Sequence, residues 1–351
     1  MVLAVSKLRQ SSSLGEIEIG KITQNEIPIE SLLLGESTTR TLKQAGYTTL
    51  KSIAVTPIEK IKKDTNLGKG IVTSLVNNAY ASYLTFSSAA DVWKERKGSH
   101  YLTTMSSNLD EILGFGIEFG TITEVFGASN AGKTQLCHQL CVNVQLSEQE
   151  GGVGGSAIFL DLKGDFRPER ILEMGLGLKI RNALEKVFYQ RLFTTDHLRA
   201  SLKKLRNLAI EKNIKLIVID GFITPFLSEF DTFESEQNAI LTVMGELKQL
   251  NALFPDVAIV ITNEVSEKTN VMFGDPVYAL GSHAVAHNAT TRLYLKQSRQ
   301  EERVIRLIHS PWRPTDEATF LITEEGIRDC PKNELGEIGT NRNGKYESMF
   351  S

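Results

Sequence analysis

The densest chemical signal in the chain is the run Gly127, Ala128, Ser129, Asn130, Ala131, Gly132, Lys133 and Thr134. Its spacing is Gly-x4-Gly-Lys-Thr, set between the apolar run TITEVF and a helical pattern beginning QLCHQLCVNVQL. Gly127 and Gly132 let the backbone approach phosphate oxygens, while successive N–H groups and a helix N-terminus supply positive potential. In such a P-loop Lys133 reaches the β- and γ-phosphates and Thr134 holds Mg2+. A second carboxylate of the right kind stands at Asp220, where the apolar strand pattern KLIVID ends. A strand-end acid beside a P-loop is suited to holding Mg2+ through water. Together these residues predict a binder of a nucleoside triphosphate and Mg2+.

The elements that must position them are also readable. AIFLDL (157–162), KVFYQRLF (186–193), KLIVID (215–220) and VAIVITNE (257–264) are β-branched or aromatic runs that read as strands. Between them lie helical patterns such as HLRASLKKLRNLAIEKN, in which Leu198, Leu202, Leu205 and Leu208 share a face. Alternating strands and helices imply a mainly parallel sheet covered on both sides. RLYLKQS, ERVIRLIHS and TFLIT follow one another without helices and read as antiparallel edge strands. Ahead of this α/β core, from Ile27 to Tyr83, short helical patterns are broken by single glycines. Leu34, Leu42 and Ala45 can face inward there, Gly46 is placed as a C-cap, and Thr56 reads as an N-cap before Pro57 and Glu59. The expected organisation is a mobile tail over 1–25, a small all-α domain over 26–84, a linker over 85–100, the α/β core over 101–330 and a polar tail over 331–351.

Composition bounds the rest. The chain has 351 residues, 41% of them apolar, enough for one large core and a smaller one. A net charge of −3 gives no global field directed at nucleic acid, so any such contact must come from a local patch or loop. Three cysteines, Cys137 and Cys141 among them one helical turn apart, match neither a disulfide framework nor a metal set, which fits a reducing cytoplasmic setting. No segment approaches the length of uncharged apolar residues that a membrane span needs.

GASNAGKTQLCHQL, FLDLKGDFRPERI, VIDGFITPF, IVITNEV, MFGDPVYALGSHAVAHNATTRLYL and EEGIRD resemble, in order, the core of the RadA/RecA-like strand-exchange recombinases, above all their archaeal RadA branch. The resemblance covers roughly 27 to 330. It implies a RecA-like P-loop ATPase core preceded by a helix-hairpin-helix domain. It further implies ATP with Mg2+ as cofactor, single- and double-stranded DNA as partners, a nucleoid-associated location, and a role in DNA repair and recombination. FSSA, Phe86 to Ala89, matches the family's Phe-x-x-Ala polymerisation motif, which inserts into the next protomer of a filament or ring, or into a recombinase paralog. By matching position Arg170 packs beside the adenine, Pro314 caps a neighbour's nucleotide, and His287 lies near the γ-phosphate across the interface. Residues 266–282 correspond to the second DNA-binding loop. There Gly274, Pro276 and Gly281 suit mobility, Lys268 suits phosphate, and Met272 or Phe273 suits wedging between bases.

Departures from the family pattern qualify the expectation. The glutamate that orients the attacking water is replaced by Lys163, in Asp161-Leu162-Lys163-Gly164-Asp165. An ammonium with a reference pKa of about 10.4 is a poor base at neutral pH. Lys163 is therefore expected to pair with the γ-phosphate instead, with Asp165 as the alternative group to orient water. The family's glutamine in Ile-Thr-Asn-Gln is Glu264, an acceptor where an amide donor is usual. His309 replaces the acid that opens the nucleotide-cap segment, and Leu33-Leu34-Gly35 keeps one glycine of the hairpin Gly-x-Gly. The first DNA loop, TPFLSEFDTFESEQN, has no Lys or Arg between Gly221 and Lys248. Two readings follow: a recombinase that assembles on single-stranded DNA with weakened hydrolysis, and a non-catalytic paralog that regulates a true recombinase.

Overall fold

The β-branched runs form the centre of a nine-stranded sheet in a computed structural model that describes residues 27–32, 34–97, 101–267, 277–298 and 301–331. The chain divides into two compact units, Met1–Phe86 and Ser87–Ser351.

In the first unit a 3-10 turn, Ile29–Leu32, precedes four helices: α1 (Glu36–Gln44), α2 (Leu50–Ala54), α3 (Ile58–Thr65) and α4 (Lys69–Tyr83). They enclose Leu42, Tyr47, Leu50, Ile53, Ile61, Val72, Leu75, Val76 and Ala79. α1 closes with paired bonds from Gly46 N to Lys43 O and from Tyr47 N to Leu42 O, the pattern that satisfies orphan carbonyls at a helix end. Thr56 is not an N-cap. Pro57 holds that position, and the Thr56 hydroxyl donates back to Ser52 O at 2.7 Å. The reciprocal capping box instead starts α2, between Thr49 and Ser52.

In the second unit the helix α5 (Ala89–Lys97) occupies most of the stretch read as a linker. There follow β1 (Tyr101–Leu102), α6 (Ser107–Leu113), β2 (Ile117–Glu118), β3 (Ile122–Phe126), α7 (Lys133–Asn143), β4 (Ser156–Asp161), α8 (Pro168–Gly177), β5 (Val187–Arg191), α9 (Thr195–Glu211) and β6 (Ile214–Asp220). After these come α10 (Thr224–Glu229), α11 (Phe233–Leu253), β7 (Ala258–Asn263), β8 (Val265–Glu267), β9 (Val277–Ala279) and α12 (Ser282–Ala286). The chain then runs through β10 (Thr291–Gln297), β11 (Glu302–His309), β12 (Asp316–Thr323) and β13 (Gly326–Asp329). The large sheet has the order β13-β12-β11-β10-β3-β7-β6-β4-β5. Pairing is parallel from β10 through β3, β7, β6 and β4 to β5, and antiparallel among β10, β11, β12 and β13. This is the α/β architecture of a RecA-like P-loop core, preceded by a helical region.

Alternation along the central strands splits the core into two layers. Ala157, Phe159, Leu216, Val218, Ala258 and Val260 pack with α7 and α8 on one face. Ile158, Leu160, Ile217, Ile219, Ile259 and Ile261 pack with α9 and α11 on the other. α7 is buried on all sides, so its polar groups need partners. Gln139 accepts Ile327 N at 2.8 Å and donates to Asn143 at 2.7 Å, and Asn143 donates to Thr103 O at 2.7 Å. These bonds tie the helix that begins at Lys133 to β13 and to the segment after β1.

The region read as the first DNA loop is largely helical. Thr232 caps α11 by accepting Ser235 N at 3.2 Å, and Glu229 is held by Thr195. Ser, Thr and acidic residues favour helix starts as strongly as they favour loops. The region read as the second DNA loop has an antiparallel stem, β8 with β9. Lys268, Met272, Phe273, Gly274 and Pro276 lie outside the described residues, as do residues 1–26 and 332–351.

Candidate nucleotide site

The site lies where β3, β4, β6 and β7 end side by side. Residues 127–132 bridge β3 to α7, with Ala128, Ser129 and Asn130 exposed and Ala131 buried. Two glycines are required here. A Cβ on Gly127 would lie 2.0 Å from Leu295 O, and Gly132 has φ +108°, where side chains are strained. Lys133 folds over this turn, its Nζ donating to Gly127 O at 2.7 Å and to Ala128 O at 2.9 Å.

Thr134, on the first turn of α7, donates to Asp220 Oδ2 at 2.8 Å, and Thr262 on β7 donates to Oδ1 at 2.6 Å. Asp220 is fully buried at the end of β6. Burial raises its pKa, and the bonds from Thr262 and Thr134 offset only part of that. One hydroxyl and one carboxylate in contact suit Mg2+, whose shell is otherwise filled by phosphate oxygens and water. No cluster of three or more His, Cys, Asp or Glu side chains fit for a metal occurs among the described residues, and a P-loop Mg2+ site needs none.

Lys163 extends from the turn after β4. Asp161, fully buried, organises that turn. Its carboxylate accepts the backbone N–H groups of Lys163 at 2.9 Å, Gly164 at 2.6 Å, Asp165 at 3.4 Å and Phe166 at 3.3 Å. The Lys163 ammonium donates to Glu264 Oε1 at 2.7 Å, across 101 positions of sequence. Glu264 Oε2 lies 3.2 Å from Lys133 Nζ, so one carboxylate bridges both lysines. Burial opposes the Glu264 carboxylate, but Lys163 and Lys133 outweigh it and hold its pKa below the usual value. The two lysines respond in opposite directions. Burial dominates at Lys133 and lowers its pKa, whereas at Lys163, 24% exposed, the bond and charge of Glu264 outweigh burial and raise it. Asp165 is half-exposed, its Oδ2 3.6 Å from Lys163 Nζ.

The structure thus brings Lys133, Thr134, Lys163, Asp165, Asp220 and Glu264 together, with Lys163 bound to an internal acid. The remaining candidates stand apart from that cluster. Arg170 bonds Gln135 on α7 at 2.9 Å, Thr323 O at 3.0 Å and Glu324 O at 2.8 Å, pegging α8 to the turn after β12. His287 is exposed after α12, its ring stacked on His283 with centroids 6.3 Å apart. Pro314 is exposed between β11 and β12. Phe86 is fully exposed, and Ala89 is exposed at the start of α5.

Sequence reading overlooked three residues. Asp161 passed as the end of a strand, although Asp followed three positions later by Gly is a turn signal. Thr262, which positions Asp220, left no trace beyond its place in an apolar run. Asn263 links the site to its surroundings, donating to buried Glu124 at 2.8 Å and to Leu280 O at 2.7 Å, while its own Oδ1 accepts Glu264 N at 2.8 Å.

Comparison with known proteins places the chain in a family. Residues 95–330 match the Rad51 family. The chain is 39% identical over 302 residues to the DNA repair and recombination protein RadA of Aeropyrum pernix, an alignment covering 84% of this chain and 94% of that protein.

Proposed function

The chain belongs to the RecA/RadA recombinase family, and from that premise we propose that it is an ATP-binding recombination and repair protein with weakened hydrolysis. It holds Mg2+-ATP between protomers and assembles on single-stranded DNA. Lys133 and the 127–132 turn take the phosphates. Thr134 and Asp220 hold the ion, which when bound neutralises phosphate charge. Arg170, His287 and Pro314 are assigned to the adenine and protomer boundary, and Phe86 and Ala89 to the neighbouring copy. Lys268, Met272, Phe273 and Gly274 are assigned to DNA.

The observation that carries slow turnover is the placement of Lys163. A cation stands where the family places the water-orienting glutamate. Asp161, committed to four backbone N–H groups, and Asp220, committed to two hydroxyls, do not replace it. General-base assistance is worth about 10²–10⁴-fold, and turnover falls by an amount in that range. The test is ATP hydrolysis with and without single-stranded DNA, beside ATP binding and a Lys133→Ala control. Tight binding with negligible turnover is expected. DNA-stimulated turnover at ordinary family rates, abolished in the control, defeats the proposal of weak hydrolysis.

A second reading, a paralog that assembles with a true recombinase and exchanges no strands itself, is favoured by one feature. The segment from Gly221 to Leu247 has no basic residue and carries Glu229, Asp231, Glu234 and Glu236 around the start of α11. This reading predicts weak DNA affinity with a shallow dependence on salt, because few counterions are released.

A further inference from the structure

Resting on the nucleotide-binding reading above, we propose that Lys133 and Lys163 form a two-ammonium clamp for the terminal phosphate of a nucleoside triphosphate. Glu264 is the internal anion that this phosphate displaces. The clamp makes the site selective for triphosphate over diphosphate.

The first arm is fixed by the P-loop itself. Gly127 O and Ala128 O hold Lys133 Nζ at the mouth of the turn, where a terminal phosphate meets the P-loop lysine. The second arm comes from the opposite side and is built to arrive there. Asp161 anchors the Lys163 backbone, and the side-chain stem then runs over Gly221. A Cβ at Gly221 would stand 2.3 Å from Lys163 Cγ and 2.9 Å from Cδ, so the absence of a side chain there opens the lane for the lysine. The ammonium ends 2.7 Å from Glu264, whose other oxygen is 3.2 Å from Lys133. One carboxylate therefore marks the point on which both cations converge.

That carboxylate can leave. Asp161 and Asp220 are fully buried and bound by fixed donors, whereas the Glu264 side chain is 24% exposed and contacted mainly by the two lysines. A terminal phosphoryl group carries more charge than a carboxylate and offers three acceptor oxygens, so it satisfies two ammoniums better than Glu264 does. A diphosphate reaches Lys133 through its β-phosphate but ends one phosphoryl group short of Lys163, and leaves the Lys163–Glu264 pair intact.

The experiment measures equilibrium affinity of the full chain for Mg2+-ATP and Mg2+-ADP by calorimetry, with thermal melting of every variant. Lys163→Met is expected to weaken ATP binding by about ten- to a hundredfold, the worth of a charge-assisted bond, and to leave ADP within about twofold. Glu264→Gln removes the competitor and is expected to tighten ATP binding by about tenfold with ADP unchanged. Lys163→Arg keeps the charge and the ATP preference. If Lys163→Met fails to fold, the Glu264→Gln comparison decides alone. Equal effects on ATP and ADP, or weaker ATP binding in Glu264→Gln, overturn the clamp. A wild-type chain that melts cooperatively yet binds neither nucleotide overturns both the clamp and the reading on which it rests.

Discussion

Two acids at the ends of neighbouring strands, Asp220 after β6 and Glu264 after β7, are held by opposite means. Asp220 is gripped by two hydroxyls in full burial, Glu264 by two ammoniums in partial burial. Burial raises the Asp220 pKa and its two neutral donors offset only part of that, so the carboxylate remains attractive to a cation. Ammonium donors neutralise Glu264, so its pKa falls and it becomes exchangeable for a stronger anion. On the proposed reading the same chemical group serves a metal-binding position at one strand end and a phosphate surrogate at the next. Depth of burial and donor charge together decide which.

The contrast is tested most severely at Asp161, the strand-end acid of β4, which belongs with Asp220 in being held by fixed donors. Asp161→Ala strips four backbone N–H groups of their acceptor and leaves Arg191 without its buried counter-charge. A loss of about 3–5 kcal/mol in chemical denaturation is expected. A loss below 1 kcal/mol would show that the turn does not depend on this carboxylate.

Next in size is a pH effect at His138, which anchors the far end of the same turn by accepting Arg167 N at 3.2 Å. Burial first, then the nearby Arg170, lowers the His138 pKa from 6.5 to about 4. Between those values the unfolded chain binds the extra proton and the folded chain does not. Stability attributable to this group is therefore intact above pH 6.5 and falls as pH drops toward 4, by about 1.4 kcal/mol per pH unit. Urea midpoints at pH 7.5 and pH 5 check this, and His138→Gln is expected to flatten the difference. An equal pH slope in the variant would assign the effect elsewhere.

The smallest effects set Asp220 and Glu264 directly against each other. Thr262→Val leaves a buried carboxylate one donor short and is expected to cost about 1–3 kcal/mol, whereas Glu264→Gln at a partly exposed ion pair changes stability by no more than about 1 kcal/mol. Equal costs in parallel melts would erase the distinction between a fixed and an exchangeable acid.

The legible parts of the molecule are those encoded by neighbours in sequence. The P-loop spacing, Asp220 at the end of an apolar run and the strand–helix alternation all depend on local pattern, and each stands in the fold as read. Lys163 and Glu264 were each noticed as departures, yet their contact was not foreseen, because it depends on β4 and β7 ending side by side. Asp161 was hidden for a different reason: its partners are mostly backbone groups, marked in the sequence only by the glycine three positions on. Thr56 shows the limit of local capping rules. Its hydroxyl had a nearer acceptor at the end of α2, and Pro57 took the cap. The stretch TPFLSEFDTFESEQN reads as a loop by its charge, whereas its second half is drawn into α11, a helix fixed by Ile240, Val243, Met244, Leu247 and Leu250 packing under the sheet.

The 2.7 Å contact between Lys163 and Glu264 also makes two distant positions answer to each other. A change at either is a change at both: without the Lys163 ammonium, Glu264 keeps Lys133 alone, and without the Glu264 carboxylate, Lys163 keeps only Asp165 Oδ2 at 3.6 Å. Positions 163 and 264 therefore form one unit of charge, and a substitution at one is read correctly only beside the residue at the other.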